Sequence, residues 1–412
     1  MSSNEISRSY DRISVKGSVT SYHIRGLCAK LYDAIEKRGF QSIVLDFSVC
    51  DRIMEAMMLP IMPLIANYRR KGINFECILP QDESLRRLFM NTNWAHHISP
   101  DEYTKTSYTG GHVPALNYTN IDESIVIFSR VMDMILGQLK VERTVLQAVE
   151  WALWEIMDNV SNHAESPVGG FVQATTYKAM NRIEFVVADS GVGIPESIGI
   201  SQHKVALQEA IGEGVTRDKE MNAGNGLYGS YRVASLSGGI FEIHSLNGFL
   251  SHRPNGEFVI RQVPIPYNGT SVLCGIGLGE SGILNKALRF KGKHHTPPYD
   301  HIEHRFENDE GQLVFNVKEE AKLDLGSRQG GQRIRIMIEN LLQEKRPIIL
   351  DFHGISVISS SFADEVFGRL FVELGPRAFM ELIKIRNVDM TVNGLIDRAI
   401  VQRTKLGNGD TS

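Results

Sequence analysis

The sequence predicts an α/β protein: a central two-layer α/β sandwich between two smaller α/β modules. Three observations carry this. Short, nearly all-apolar runs alternate with helical stretches at both ends of the chain, the pattern of buried strands with crossover helices. A long amphipathic helix followed by two alternating strands occupies the middle. Finally, Pro347-Ile-Ile-Leu-Asp-Phe352 echoes Ser42-Ile-Val-Leu-Asp-Phe47, and each is followed by a helix. The boundaries expected are a first module over 1–105, the sandwich over 118–276, a linker over 277–308 and a last module over 309–405. The echo suggests one module present twice; two unrelated units with similar buried strands are the alternative.

Each element has a local reason. Ser42–Phe47 is a buried strand, and a helical stretch is expected from Met54 to Arg70. Asn74–Leu79 is a second strand, ended by Pro80, and Asp82 caps a helix over Glu83–Met90. In the middle, a helix over Glu142–His163 places Val145, Ala148, Val149, Ala152, Ile156 and Val160 on one stripe. Strands Gly170–Tyr177 and Arg182–Ala188 follow, joined by Lys178–Asn181. Ile183, Phe185 and Val187 alternate with Glu184 and Val186, which predicts a sheet with one face buried. A glycine-rich polar stretch runs from Gly191 to Gly226, then a helix over Leu227–Leu236. Strands are expected near Gly239–His244, Glu257–Val263 and Ser271–Gly275.

Composition bounds the function. With 412 residues, 42% hydrophobic and 22% charged, the chain resembles an average soluble protein of two or three domains. A net charge of -4 gives no global basic field, so no nucleic-acid partner is expected. The four cysteines lack metal or disulfide spacing and suggest a reducing compartment. The start carries no apolar signal core, and no run approaches a membrane span, so a cytoplasmic protein without membrane contact is expected.

The chemistry sits in the middle block. Glu155, Asn159 and His163 are four residues apart, which aligns them along one helix face. Asn159 offers an oxygen to Mg²⁺, an ion held by few protein ligands plus phosphates and water. Glu155, one turn away, is placed to act as a general base towards a γ-phosphate reaction. Asp189 ends a strand, where a buried carboxylate can accept an adenine exocyclic N–H, and Gly191 and Gly193 let backbone approach the base. No P-loop is present, so a glycine-rich lid, Gly212–Gly229, is the alternative cover for phosphates. Its Gly224, Gly226 and Gly229 spell G-x-G-x-x-G, but polar Thr216–Glu220 precedes them where a Rossmann unit needs a strand. The lid glycines open a helix whose N–H groups can hold phosphate oxygens. His163 can instead pack or cap the helix end. His294, His295, His301 and His304 match no closed zinc site and are read as part of a hydrophilic linker.

These segments resemble the gyrase, chaperone, histidine-kinase and mismatch-repair (GHKL, or Bergerat) superfamily of ATP-binding domains. Glu155-x-x-x-Asn159-x-x-x-His163-Ala164 looks like its N box, Asp189-Ser-Gly191-Val-Gly193 like its G1 box, Gly224-Asn-Gly226-Leu227 like its G2 box, and Gly269-Thr270 like its short terminal motif. The resemblance implies ATP and Mg²⁺ as ligands, with Asp189 on adenine, Asn159 on the metal, Glu155 as base, Gly224 to Gly229 on phosphates and Thr270 near the base. Tyr228 departs from the common Gly-Leu-Gly form of the phosphate turn. No phospho-acceptor His helix lies upstream, which argues against a two-component histidine kinase.

The flanking modules resemble STAS-type domains of anti-sigma-factor antagonists, the last one especially, through Ile349-Leu-Asp-Phe352 and Ile358-Ser-Ser-Ser-Phe-Ala-Asp-Glu365. The resemblance makes Ser360 a candidate phospho-acceptor at a helix start; an ordinary N-cap is the alternative for this triple serine. The first module reads Met54-Glu55-Ala56 at that place, without a hydroxyl, and is read as a docking or homodimerising module. Together these imply a bacterial signalling protein whose STAS-like modules bind protein partners. The readings are a partner-switching Ser/Thr kinase, an ATP-hydrolysing conformational switch serving regulation or phage defence, and a nucleotide-binding scaffold without turnover.

Overall fold

The computed structural model describes residues 5–106, 110–212, 226–290, 293–294, 300–322 and 324–407. The chain divides into two units, Met1–Met134 with Ala148–Thr296, and Ile135–Gln147 with Pro297–Ser412. It is α/β throughout, as expected.

The first unit opens with an antiparallel pair, β1 (Glu5–Ser9) and β2 (Arg12–Ser18), followed by helix α1 (Ile24–Tyr32). The apolar run becomes β3 (Ser42–Asp46), parallel to β2, and β4 (Cys50–Arg52) adds to β2. The helical stretch expected from Met54 to Arg70 is two helices, α2 (Glu55–Met58) and α3 (Ile61–Arg70). The break falls at Leu59-Pro60, because Pro60 has no N–H to continue the ladder. Then come β5 (Asn74–Ile78), parallel to β3, α4 (Glu83–Asn91) and α5 (Trp94–Ile98). Asp82 caps α4 by accepting Leu85 N at 2.8 Å. The sheet order is β1-β2-β3-β5, with β4 beside β2.

The second sheet of this unit contains β6 (His112–Tyr118), after which helices α6 (Ile121–Gln138) and α7 (Arg143–His163) follow, then β7 (Gly170–Tyr177) and β8 (Arg182–Asp189). The six stripe residues of α7 are all buried. Short helices α8 (Ile194–Ser197) and α9 (His203–Ala210) precede α10 (Gly226–Leu236). Two long strands close the sheet, β9 (Ile240–His252) and β10 (Phe258–Gly277), in the antiparallel order β6-β7-β8-β10-β9. The two strands expected over 257–263 and 271–275 are thus one strand, bent by register shifts on either side of Tyr267. Helix α11 (Ile283–Ala287) and a two-residue hairpin, β11 (Arg289–Phe290) and β12 (Lys293–His294), end the unit within the stretch expected as a linker.

The expectation of one buried face on this sheet needs correction. Every residue of β8 from Ile183 to Asp189 is buried, and Glu184 is only 6% exposed. Val186 joins Phe171, Ile240, Tyr267 and Leu273 in one continuous core with Ile13, Leu27, Leu45, Ile65 and Trp94 of the first module. The other face receives α7, where Tyr118 donates its hydroxyl to Met157 O at 3.0 Å. Two polar side chains of β7 and β8 find partners within the protein. Trp94 Nε1 donates to Gln173 Oε1 at 2.8 Å, and Arg182 lies 2.5 Å from Glu184.

The second unit begins with α12 (His301–Phe306), β13 (Leu313–Asn316) and α13 (Val317–Ala321), then α14 (Arg328–Leu341). β14 (Ile348–Asp351) is central, followed by α15 (Ser360–Ala363), α16 (Arg369–Leu382, kinked at Gly375-Pro376), β15 (Ile383–Arg386) and α17 (Met390–Gly407). The sheet is all parallel, β13-β14-β15. This matches the run β2-β3-β5 of the first module in direction and chain order. The strand-end aspartates match too. Asp46 accepts Ser48 N at 3.0 Å and pairs with Arg12, and Asp351 accepts His353 N at 2.9 Å and pairs with Arg386. Among the described residues no helix is long and apolar enough to cross a membrane.

Candidate functional site

Asp189 anchors the site. It ends β8, is 2% exposed, and takes two backbone N–H bonds on one oxygen, Oδ1: from Gly191 at 2.7 Å and from Thr270 at 3.2 Å. Burial pushes its carboxyl up to about 7, against the pull of these two bonds. The loop after it is fixed to the end of α7, since Val192 N donates to Ala164 O at 2.8 Å. That approach requires glycine at 191, where a Cβ would lie 1.8 Å from Ala164 O. Gly193, at φ +82°, faces Leu246. Asp189, Gly191 and Gly193, neighbours in sequence, are therefore joined by the distant Thr270 in one cluster.

Ser245 is the member that sequence reasoning missed. Its hydroxyl lies 3.0 Å from Thr270 Oγ1, donates to Gly269 O at 3.1 Å and accepts Ile194 N at 2.8 Å. A single hydroxyl on a strand carries no spacing signal, so nothing in the sequence singled it out.

Glu155 and Asn159 are half-buried on α7, one turn apart, and His163 is the last residue of that helix. Burial pushes the Glu155 carboxyl up to about 7, with the nearby Asp158 charge adding to it. Asp158 is itself raised by burial, while Asn162 Nδ2 bonds it at 2.7 Å. The start of α10 abuts this carboxylate: a Cβ on Gly226 would sit 2.0 Å from Glu155 Oε2. Gly229 is buried in the same helix, and Ser230 reaches Ala152 O of α7 at 3.5 Å. Tyr228, the departure in the phosphate turn, lies under the Arg232 guanidinium at 5.9 Å. Gly224 and most of the expected lid lie outside the described residues.

The arrangement can do two things chemically. A carboxyl held near 7 accepts protons at neutral pH, which suits Glu155 to general-base work. The Asp189 cluster holds a buried hydrogen-bonding carboxyl against the backbone of Gly191 and Thr270. Among the described residues no group of three or more His, Cys, Asp or Glu side chains is placed to hold a metal ion. Asn159 could thus contribute one ligand to Mg²⁺, the rest coming from phosphate and water. His301 and His304 sit on α12, with His301 1% exposed, so this part of the chain is packed rather than hydrophilic linker; His295 lies outside the described residues.

In the second unit the triple serine divides its roles. Ser359 is the N-cap of α15, accepting Phe362 N at 3.0 Å, and its hydroxyl lies 2.9 Å from that of Ser361. Ser360, the first helical residue, is exposed. One turn on, Asp364 is held well ionised by Arg403 at 2.6 and 2.7 Å. In the first module the corresponding position is Glu55, buried, with its Oε1 accepting the Tyr177 hydroxyl at 2.6 Å.

No curated protein matches the chain. Residues 330–393, from the first turn of α14 to the first turn of α17, match the STAS-like domain of unknown function (DUF4325), so the carboxyl-terminal unit carries a STAS-like domain.

Proposed function

We propose that the chain is a cytoplasmic ATP- and Mg²⁺-binding signalling protein of the GHKL type, acting as a partner-switching Ser/Thr kinase through its STAS-like modules. The observation that carries this reading is the Asp189 cluster: a buried carboxylate bonded on one oxygen by Gly191 and Thr270, two residues singled out independently for contact with adenine. In this reading Asp189 accepts the adenine amino group, Thr270 lines the base, and Gly226 and Gly229 of α10 face the phosphates. Bound Mg²⁺ neutralises phosphate charge, with Asn159 as its protein ligand. Glu155 takes the proton from a serine hydroxyl as that oxygen bonds to the γ-phosphorus. The bond from γ-phosphorus to the β–γ bridging oxygen breaks, and ADP leaves. The acceptor is Ser360 or a serine of a partner. The exposure of Ser360 at a helix start, with Ser359 serving as the cap, supports it as acceptor.

The second reading is an ATP-hydrolysing switch, in which Glu155 activates water instead. The unbroken core between the first module and the sheet favours it, since such packing transmits a change at the site to the module. Incubation with γ-labelled ATP and Mg²⁺ separates the two. Protein-bound label that is lost in both Glu155→Ala and Ser360→Ala supports the kinase acting on itself. Free phosphate lost in Glu155→Ala and kept in Ser360→Ala supports the switch. Absence of any ATP binding by calorimetry refutes both.

A further inference from the structure

We infer that the amino-terminal module sets the geometry of the Asp189 site through two side chains, Arg25 and Tyr267. Arg25 lies on α1 and is 8% exposed. Its guanidinium donates to Leu246 O and Gly248 O at 2.6 Å each, and also to Ile265 O. Among the described residues no carboxylate pairs with it. A buried cation without a counter-charge is costly, and such groups call for a role beyond packing. The three carbonyls belong to the bend of β9, where Leu246 adopts φ +44°, and to the facing irregular stretch of β10. The same bend carries Ser245, which ties Thr270, Gly269 and Ile194 together, and Leu246, whose side chain walls Gly193. Arg25 thus clamps the backbone whose side chains shape the site.

Tyr267 supplies the second link. It is fully buried, and its one hydroxyl proton is shared between Pro60 O at 2.8 Å and Asp189 O at 3.2 Å. Pro60 lies in the break between α2 and α3, so displacement of that break is felt directly at Asp189. Both residues are positioning residues: neither touches a reacting atom. A partner that shifts α1 or the α2–α3 break therefore tunes the site. The functional half of this inference rests on the reading of Asp189 as a base-binding carboxylate; the structural half does not.

The test compares wild type with Arg25→Met and Tyr267→Phe, the latter keeping the ring and so guarding against a variant that fails to fold. Hydrogen exchange is followed at the Gly191, Ile194 and Thr270 amides, with β7 amides as the internal reference. Exchange at the site is expected to speed up about tenfold or more in both variants while β7 stays unchanged, as the loss of ordering hydrogen bonds implies. In parallel, the Kd for Mg-ATP is expected to rise about tenfold. Selective acceleration of exchange upholds the inference even if wild type binds no ATP, an outcome that sinks the nucleotide reading alone. Unchanged exchange at the three amides, or equal acceleration throughout the unit, overturns the inference.

Discussion

Asp189→Asn isolates the cost of burying this carboxyl. The amide keeps Oδ1 as acceptor for Gly191 and Thr270 and changes little else. In the folded protein the carboxyl titrates at about 7 instead of the ordinary 3.8, mainly because burial penalises its charge. Below pH 4 both folded and unfolded chains hold this proton, and the group costs nothing. Between 4 and 7 the unfolded chain releases it first, so stability falls by about 1.4 kcal/mol per pH unit. Above 7 the loss is complete, at roughly three factors of ten in proton affinity or about 4 kcal/mol. The asparagine variant escapes this fall. It is expected to match wild type at pH 4 and to be more stable by about 4 kcal/mol at pH 8. Urea unfolding followed by tryptophan fluorescence reads the right part of the molecule, since Trp94, Trp151 and Trp154 are the only tryptophans and share a unit with Asp189. Taking the difference between the two proteins cancels Glu155 and Glu184, which burial also pushes up to about 7. A stability difference that does not change between pH 4 and 8 refutes the reasoning.

Other expectations follow from the same geometry. Turnover should rise with pH around a midpoint near 7 as Glu155 loses its proton, and Glu155→Gln should remove that dependence and lower the rate by about 10²-fold or more, read from initial rates across pH 5.5–9. Gly191→Ala and Gly226→Ala should part company. The first drives a methyl into the Ala164 carbonyl and should cost about 2–4 kcal/mol in denaturant unfolding. The second meets the Glu155 side chain, closest at its carboxylate, which can turn aside, so activity should fall while stability holds within about 0.5 kcal/mol. In the second unit, buried Asn340 accepts Val141 N at 3.0 Å and donates to Leu136 O and Leu139 O at 2.8 Å each; Asn340→Ala should cost about 2–4 kcal/mol, visible as a lowered Tm.

Much of this was legible in the sequence because local periodicity dictates it. The stripe of α7, the cap Asp82 and the strand-end position of Asp189 depend on residues close in the chain. What was not legible depends on distant partners. Glu184 and Gln173 look like the wet face of a sheet, yet Arg182 and Trp94 satisfy them in the core. Arg25 resembles an ordinary helix-surface cation until α1 is laid on β10. Ser245 joins the site only through the bend of β9. The spacing of Glu155 and Asn159 put them on one face, but only the close approach of Gly226 relates that face to the glycine-rich stretch.

The two parallel-strand modules invite a comparison at one position. At the first residue of the helix after the central strand, one has Ser360 open to solvent and the other has Glu55 buried against Tyr177. The glutamate is spent on a partner inside the fold, its Oε1 accepting the Tyr177 hydroxyl. One module thus has this position closed by packing, while the other leaves a hydroxyl open to solvent. The same position is therefore a structural joint in the first module and a surface group in the second.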